Sequence, residues 1–424
     1  MLLVGAGYGG TGFIEDVTAP TARWNFTAQA FENFTNLHHR WMATTDPNVG
    51  GDLYRGAVRR ANDAMAVAGQ NARFVGVIWH QGESDAVDGG ADTYADNHHK
   101  LIAAFRANIT GAGPTTPVVV GEFNPCFMSA CPDRTGAQPT AATFQKILNY
   151  FHTIRSNIAY TAWVSSAGLG WNPDGTHFDL PSVRQLGRRY ADKLFEASLN
   201  LPQPEVDFKI WNGNYFNVGT SMDGDPLSSR ISGNVTPTGT VSVVRSANHG
   251  NVALIDNAGG SLSLSVDATS LNASYTKMAW IKLESLSYTN NMISGLNSMQ
   301  RHFFDVSGGQ LAAGHSATVT TTLVRGGAVL PVAKWAHVAV AYDADKKTMT
   351  LYVNGAATDS ASGVAAAPSN DSGRMTLQLS RYGSASTTYG IDGYMIDNKL
   401  YRQALSPTQI KAIYDYETTK KAGY

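Results

Sequence analysis

The first 200 residues alternate between short apolar runs and longer segments with helical periodicity, and no other feature constrains the fold as strongly. The short runs are rich in β-branched residues, as is typical of buried strands. The longer segments repeat apolar residues at three- and four-residue steps, which predicts amphipathic helices. Strands that alternate with helices predict an α/β fold, with a parallel sheet covered by helices on both faces. The predicted strands are 1–4, 74–79, 117–123 and 160–165, and the predicted helices are 52–69, 93–109, one around 144–154, and 181–198.

The alternation stops near Asn200, and residues beyond it are rich in Ser, Thr, Gly and Val. Residues 335–342 and 348–353 alternate between apolar and polar positions, and Asn354-Gly355 is a hairpin signal. Many short strands with such turns predict an all-β sandwich or jelly roll, closed by a short helix from Pro407 to Tyr416. The predicted domains are therefore 1–200 and 211–424, and the predicted linker is 201–210, which contains two prolines.

The composition excludes several classes of partner. The net charge of the 424-residue chain is -1 and no basic stripe occurs, which argues against nucleic acid. No apolar run reaches the roughly 18 residues that a membrane span needs, and the opening Met-Leu-Leu-Val is too short for a signal peptide. The two cysteines, Cys126 and Cys131, could form a disulfide loop suited to an exported protein, or they could be two free thiols. Two cysteines alone do not make a zinc site.

A polar cluster follows the apolar run 74–79 without a break: His80-Gln-Gly-Glu83-Ser-Asp85. In an open α/β sheet, ligands bind just beyond the carboxyl ends of the strands, so this cluster is a candidate site. The alternative is a helix cap provided by Ser84 or Asp85. A cap needs a single oxygen, and six consecutive polar or glycine residues exceed that need, so the site interpretation is favoured.

A glycine-rich segment, Gly5 to Gly12, follows the first predicted strand. Its Gly5-x-Gly7-x-x-Gly10 spacing matches the dinucleotide-binding fingerprint. The context does not fit, because the next residues soon break at Pro20 and no second strand ends in an acidic residue about twenty residues later. No nucleotide cofactor is therefore expected. The other use of such glycines is close approach of the backbone to a reacting group.

The second candidate site is Asp174-Gly-Thr-His177, directly before the last predicted helix of the first domain. An acid three residues ahead of a histidine, with a glycine between them, can fold back onto the imidazole and fix its tautomer, as in a hydrolase triad. The alternative is an ordinary turn with an exposed histidine. The two adjacent pairs His38-His39 and His98-His99 diverge along the backbone and are predicted to lie on the surface.

Three blocks of the first 200 residues resemble the SGNH-type sialate O-acetylesterase and acetyl xylan esterase group. They are Gly9-Gly10-Thr11, Trp79-His-Gln-Gly-Glu-Ser-Asp85 and Asp174-Gly-Thr-His177-Phe-Asp179. The resemblance implies a flavodoxin-like three-layer α/β/α fold. It also implies removal of acetyl groups from sugar hydroxyls through a serine acyl-enzyme, without a metal or cofactor.

Carried onto this chain, the resemblance makes His177 the general base and Asp174 its orienting acid, with Glu83 as a possible second acid partner. Gly10 (or Gly9) would donate a backbone N–H to the oxyanion, and the Gln81 side chain would donate a further hydrogen bond. An acetylated glycan is the implied substrate, and an extracellular or periplasmic location is expected.

The chain departs from this group at the nucleophile. No Gly-Gln-Ser or Gly-Asp-Ser sequence occurs in it, whereas the group carries its serine in a Gly-Gln-Ser-Asn block on the first strand. Ser84 is the only serine within a site motif, and it lacks the second glycine of a nucleophile elbow. The chain is therefore expected to be a fragment or an alternative start that lacks its nucleophile, with very low activity by itself.

The second domain resembles laminin-G-like and concanavalin-like jelly rolls. The resemblance rests on Lys334 to Tyr342, Leu351 to Gly355, Gly390 to Gly393 and Tyr401 to Ser406, which specify fold better than function. Asp223-Gly-Asp225 could touch a calcium ion, although a solvated turn is favoured. Relatives often bind glycans, and four aromatic residues could stack on sugars or pack in the core: Trp211, Tyr215, Tyr382 and Tyr389.

The sequence thus favours a carbohydrate O-acetylesterase module followed by a sugar-binding jelly roll. The alternative is a non-catalytic glycan-binding or structural protein, such as part of a surface or phage-tail assembly.

Overall fold

A computed structural model describes residues 5, 13, 22–25, 30–33, 41, 52–128, 139–220, 232–256, 260–295, 302–315, 322–367, 373–381 and 390–422. The chain divides into two compact units, Met1–Leu201 and Pro202–Tyr424. We refer to them as the N-terminal and C-terminal units. The stretch predicted as a linker, 201–210, differs from that prediction, because the first strand of the C-terminal unit begins within it, at Val206.

The N-terminal unit contains the predicted parallel sheet. Three strands lie in the order β3-β4-β5, in register at Trp79, Val120 and Trp163. A separate antiparallel pair, β1 and β2, precedes them, and the predicted strand 1–4 lies outside the described residues. Within the described ranges, the strands of this unit are β1 Ala22–Asn25, β2 Ala30–Asn33, β3 Val77–Trp79, β4 Val118–Gly121 and β5 Thr161–Val164.

The prediction that residues 74–79 form a buried strand was correct only in part. Only 77–79 are extended as a strand, and Ile78 is 46% exposed. Among the described strands, β3 pairs on one side only, with β4.

Helices cover both faces of this sheet, as the alternation predicted. Neighbouring residues on a strand point to opposite faces. A Cβ at Gly121 would meet Tyr190 of α5, whereas the adjacent Glu122 binds His152 of α4, so α4 and α5 lie on opposite faces. The helices are α1 Asp52–Ala68, α2 Glu83–Asp88, α3 Tyr94–Asn108, α4 Ala141–Asn157 and α5 Leu180–Ser198.

Two of these helices begin at side chains that cap them. The Thr140 side chain accepts a hydrogen bond from the Thr143 amide at the start of α4. Asp179 does the same for the Ser182 amide at the start of α5, and Pro181 occupies the first turn. These caps fix where α5 begins, and hence where the loop that carries Asp174 and His177 ends.

The surface prediction for the histidine pairs was wrong for His98. Its side chain is 1% exposed, and its Nδ1 lies 2.8 Å from the Tyr150 hydroxyl. Burial lowers the pKa of His98 to about 3, so the ring is neutral within an aromatic core that includes Trp79 and Tyr94. His99 is half-buried, and the pair 38–39 lies outside the described residues.

The C-terminal unit is the predicted antiparallel β-sandwich. Its largest sheet runs β20-β19-β18-β12-β22-β10-β9, with β6 pairing both β22 and β7. Two four-stranded sheets run β14-β21-β11-β8 and β13-β15-β16-β17. The strands are β6 Val206–Trp211, β7 Asn214–Asn217, β8 Thr236–Thr238, β9 Val241–Ser246, β10 Gly250–Ile255, β11 Ser261–Asp267, β12 Tyr275–Leu283, β13 Thr289–Asn291, β14 Ser294–Gly295, β15 Phe303–Ser307, β16 Gln310–His315, β17 Thr322–Val329, β18 Trp335–Asp343, β19 Thr348–Val353, β20 Ala356–Ser362, β21 Arg374–Gln378 and β22 Gly393–Tyr401.

The predicted hairpin at Asn354-Gly355 joins β19 to β20. Both residues have positive φ, 50° and 77°, as a type I′ turn requires. The closing helix, α6 Pro407–Ala422, runs further than the predicted end at Tyr416. It docks through Glu417, which accepts hydrogen bonds from Trp280 Nε1 at 2.6 Å and from Lys399 Nζ at 2.9 Å.

A cluster of titratable groups lies within the sandwich. Lys277, His302 and His315 are fully buried, and the two imidazole rings lie 5.4 Å apart. Burial lowers the pKa of Lys277 to about 7. Burial, and then the charge of Lys277, holds the pKa of His302 well below its usual value. The sandwich therefore encloses groups that are costly to charge.

Other sequence predictions have mixed outcomes. Cys126 is disulfide-bonded, which favours the bridged alternative, although Cys131 lies outside the described residues. Of the four aromatic candidates, Tyr215 is buried against Phe208, Trp211 is half-exposed, and the other two lie outside the described residues, as does Asp223-Gly-Asp225. None of the described helices is long and apolar enough to span a membrane.

Candidate functional site

The candidate site residues follow the carboxyl ends of strands in one parallel sheet. His80, Gln81 and Glu83 come directly after β3, Asn124 follows β4, and the Asp174–His177 turn lies in the loop after β5. Because parallel strands end at the same edge of a sheet, these segments share one rim. The His80 and Phe178 rings, 5.6 Å apart, bring the first and last segments together.

His177 and Asp174 form the predicted acid–imidazole pair. The Asp174 carboxylate lies 2.9 Å from Nδ1 of His177, and its other oxygen accepts the amides of Thr176 and His177 at 2.8 and 2.9 Å. Gly175, at φ 67°, allows the chain to fold back between them. Asp174 is the ring's only hydrogen-bond partner among the described residues, and 71% of the His177 side chain is exposed. Nε2 is therefore open to a substrate.

The charge state of Asp174 suits this arrangement. The backbone N–H of His177, and then its side chain and the Thr176 amide, lower the pKa of Asp174 to about 2. The carboxylate is therefore ionised at neutral pH. An ionised acceptor at Nδ1 favours the tautomer that leaves Nε2 able to accept a proton.

Asn124 binds the backbone of the Asp174–His177 turn, and the sequence did not identify it as a site residue. Its side chain is fully buried, and its Nδ2 donates to the carbonyls of Gly175, at 3.4 Å, and Thr176. Its Oδ1 accepts the Phe127 amide at 2.8 Å. The only signal in the sequence was its position just past the apolar run 117–123, the same signal that marked Gln81.

Glu83 contacts His80 and not His177. Its carboxylate lies 3.7 Å from His80 Nε2, while His80 Nδ1 lies 2.9 Å from the hydroxyl of Tyr190. That hydroxyl donates to the Trp79 carbonyl at 3.0 Å. The hydrogen bond between His80 and Tyr190 passes over Gly121, where a Cβ would lie 2.0 Å from the Tyr190 hydroxyl oxygen. The geometry thus gives Glu83 a different partner from the one that the resemblance implies.

Gln81 is fixed at both its backbone and its side chain. Its carbonyl accepts the Tyr94 hydroxyl at 2.7 Å, and that hydroxyl accepts Trp79 Nε1 at 3.0 Å. Its Nε2 donates to the carboxylate of Asp85 at 2.7 Å. The same carboxylate accepts the amide of Phe13, which directly follows the glycine-rich segment.

The remaining predicted parts are only partly described. Gly9 and Gly10 lie outside the described residues, so their role stays a prediction. Ser84 lies in the first turn of α2. Within residues 52–128 and 139–198, no serine hydroxyl hydrogen-bonds to His177. In the described part of the chain, no group of three or more His, Cys, Asp or Glu side chains is arranged to hold a metal ion.

Each unit contains a segment that matches a known protein family. Residues 34–196 of the N-terminal unit match the family described as carbohydrate esterase, sialic acid-specific acetylesterase. Residues 256–411 of the C-terminal unit match the concanavalin A-like lectin/glucanases superfamily. A comparison with curated proteins found no match.

Solved structures give weaker likenesses. The binding domain of Paraclostridial Mosquitocidal Protein 1 is 11% identical with a TM-score of 0.40, over 50% of this chain and 52% of that one. Domain 4 of a GH43 extracellular arabinanase from Geobacillus stearothermophilus, in complex with arabinotriose, is 19% identical with a TM-score of 0.35, over 46% and 95%. A heptameric SAP-like pentraxin from Limulus polyphemus is 17% identical with a TM-score of 0.30, over 34% and 70%. The chain thus spans about half the length of the first of these proteins.

Proposed function

We propose that the N-terminal unit removes O-acetyl groups from sugars such as sialic acid or the xylose units of xylan. One observation carries the proposal: Nδ1 of His177 is hydrogen-bonded to an ionised Asp174, while Nε2 has no hydrogen-bond partner among the described residues and the side chain is exposed at the rim that carries the His-Gln-Gly-Glu block. This is the arrangement of a general base. The match of residues 34–196 to the carbohydrate esterase family supports a sugar ester as the substrate.

The chemistry is acyl transfer in two steps. A serine hydroxyl attacks the acetyl carbonyl, His177 Nε2 takes its proton, and the same proton passes to the departing sugar oxygen. Water then attacks the acetyl-serine with the same base, and acetate leaves. The negative charge on the carbonyl oxygen in each step is stabilised by N–H donors, for which Gln81 Nε2 and the backbone of Gly9 or Gly10 are the candidates.

The nucleophile of this scheme is not identified among the described residues. The chain contains no Gly-Gln-Ser block, and Ser84 makes no hydrogen bond to His177. Without a serine, only a small residual rate is expected from the oxyanion donors. Acetate release should therefore be measured on two proteins: the chain itself, and a form extended by the coding sequence upstream of Met1.

The experiment uses acetylated sialic acid and acetylated xylan as separate substrates. The extended form is expected to release acetate, and Asp174→Asn is expected to lower its kcat about 10⁴-fold, as when a triad histidine loses its orienting carboxylate. Asp96→Asn, the same change at an exposed site in α3, is the matched control. If the extended form releases no acetate from either substrate, the esterase proposal is wrong.

A second candidate is a non-catalytic glycan-binding or structural role, for example in a surface or phage-tail assembly. The absence of a Gly-Gln-Ser block from the chain favours it. Glycan binding without turnover, unchanged by His177→Ala, would support this role. A loss of binding in His177→Ala would count against it, because a separate lectin surface does not need this ring.

We also propose that the protein acts outside the cytoplasm, where acetylated polysaccharides occur. The disulfide at Cys126 supports this location, since disulfides persist in oxidising compartments. Cell fractionation of the source organism tests it, and recovery of the protein in the cytosolic fraction with reduced cysteines would contradict it.

A further inference from the structure

A buried carboxylate joins two segments of the rim that are far apart in the sequence. Asp85, in the first turn of α2, is fully buried. It accepts Gln81 Nε2 at 2.7 Å from four positions away. It also accepts the amide of Phe13, 72 positions away, at 3.0 and 3.2 Å through its two oxygens.

These hydrogen bonds compensate for the burial of Asp85. A polar group that is removed from water and left without partners costs free energy, so the donors of Gln81 and Phe13 stabilise the buried carboxyl group. The two oxygens of Asp85 therefore hold their donors in fixed directions. Losing the carboxylate would leave the Phe13 amide and the Gln81 carboxamide without that acceptor in a buried place.

The backbone of Gln81 is fixed independently of Asp85. The Tyr94 hydroxyl binds the Gln81 carbonyl, and Trp79 Nε1 binds that hydroxyl. Asp85 in turn fixes the direction of the Gln81 side-chain carboxamide. Its other partner is the amide of Phe13, which directly follows Gly12 in the sequence.

We propose that Asp85 is the positioning residue of the oxyanion hole. It acts through Gln81, whose carboxamide it orients, and it joins Gln81 to the Phe13 amide. The inference rests on the proposed esterase function for its catalytic consequence. Its structural part, the coupling of the two segments through one carboxylate, stands without that function.

A neighbouring glycine offers an independent way to disturb the carboxylate. A Cβ at Gly90 would lie 2.4 Å from Asp85 Oδ1, so Gly90→Ala should displace the carboxylate without removing it. Gly113→Ala is the matched control, because nothing lies within 4 Å of a Cβ there. For the direct change, Asp85→Asn, the control is again Asp96→Asn.

The first readout needs no catalysis. In both Asp85→Asn and Gly90→Ala, the Phe13 amide should exchange with solvent at least tenfold faster, and the side-chain NH₂ resonances of Gln81 should shift in NMR spectra. Neither control should change either signal. Unchanged exchange at Phe13 and unchanged Gln81 resonances in a folded Gly90→Ala variant would overturn the inference, even if Asp85→Asn fails to fold.

The second readout is the kcat and KM of the extended form. Loss of an oriented oxyanion donor should lower kcat by about 10²–10³-fold and leave KM within about twofold. The effects of Gln81→Ala and Asp85→Asn should not add, since one residue acts through the other. A merely structural role would lower the folded fraction, and so the apparent kcat, without this non-additivity. If the wild-type extended form is inactive, the proposed function fails, while the exchange measurement still decides the role of Asp85.

Discussion

Gly121 should tolerate no side chain, because the hydrogen bond between His80 and Tyr190 passes directly over it. A Cβ there would lie 2.0 Å from the Tyr190 hydroxyl oxygen, 2.6 Å from His80 Nδ1 and 2.8 Å from Tyr190 Cζ. Tyr190 is only 4% exposed, so its ring has little room to move away. Gly121→Ala is therefore an overpacking substitution in the layer between the sheet and α5.

The expected cost follows from two terms. Overpacking a buried site typically costs 1–3 kcal/mol. If Tyr190 shifts to relieve the contact, its bonds to the Trp79 carbonyl and to His80, 3.0 and 2.9 Å long, are lost, and each buried group left unsatisfied costs about 1–3 kcal/mol. A shift of Tyr190 would relieve the overpacking but break these hydrogen bonds, so the two costs do not add in full. We therefore expect a loss of about 2–4 kcal/mol in the free energy of unfolding of the N-terminal unit.

Native-state hydrogen exchange of the β4 amides measures this loss for the N-terminal unit alone. Gly113→Ala is the control. Tyr190→Phe should cost about 1–2 kcal/mol by itself. Combined with Gly121→Ala it should cost less than the sum, because the closest contact, at the hydroxyl oxygen, is removed. A Gly121→Ala protein within 0.5 kcal/mol of wild type would refute the reasoning.

Three further predictions concern charges. Unfolded His302 gains a proton below about pH 6.5 that the buried ring does not, so stability of the C-terminal unit is lost as the pH falls, at about 1.4 kcal/mol per pH unit. Burial raises the pKa of Asp305 to about 7, so this carboxyl group changes stability with pH in the opposite direction. The test therefore compares wild type with His302→Leu, using the urea midpoint of each protein at pH 6.5 and at pH 5. If the midpoint changes equally with pH in both proteins, the prediction for His302 is wrong. Glu417→Ala removes the carboxylate that binds buried Lys399 and should cost about 3–5 kcal/mol of stability, measured by hydrogen exchange of the α6 amides. A cost under about 1 kcal/mol would show that α6 docks without Glu417. The Asp174 carboxyl should titrate near pH 2 by ¹³C NMR, so any stability that it contributes is lost as the pH falls from about 4 to 2. Asn124→Leu should move the midpoint of this titration toward 3.8, because Asn124 binds the turn that carries the Asp174 partners. An unmoved titration midpoint would show that Asn124 does not hold the turn.

The sequence predicted what depends on local patterns. The strands at 118–121 and 161–164 and the helix at 52–68 follow directly from apolar periodicity. The Asp174–His177 pairing was predictable because three residues and a glycine determine its geometry. The hairpin at 354–355 was predictable for the same reason, since its turn residues require positive φ.

What the sequence did not predict depends on distant partners. The sequence placed Asp85 in a candidate site, with a helix cap as the alternative, but it did not indicate that the Phe13 amide, 72 positions away, binds this side chain. Asn124 and His98 also have partners that are distant in the sequence. Asn124 binds carbonyls 51 and 52 positions later, and buried His98 contacts a tyrosine on α4. Propensity cannot report such contacts, since they arise only when the sheet assembles.

The exposure of His177 has a consequence for the shape of what can react. Its ring is exposed on a turn that buried Asn124 binds, so the ring is held in place but is not enclosed by the described residues. Under the proposed function, an ester carried by a branched, crowded or insoluble polymer can reach this ring without entering a tunnel. Bulk on the far side of the sugar should therefore matter little, and selectivity should depend on the few atoms around the acetyl group.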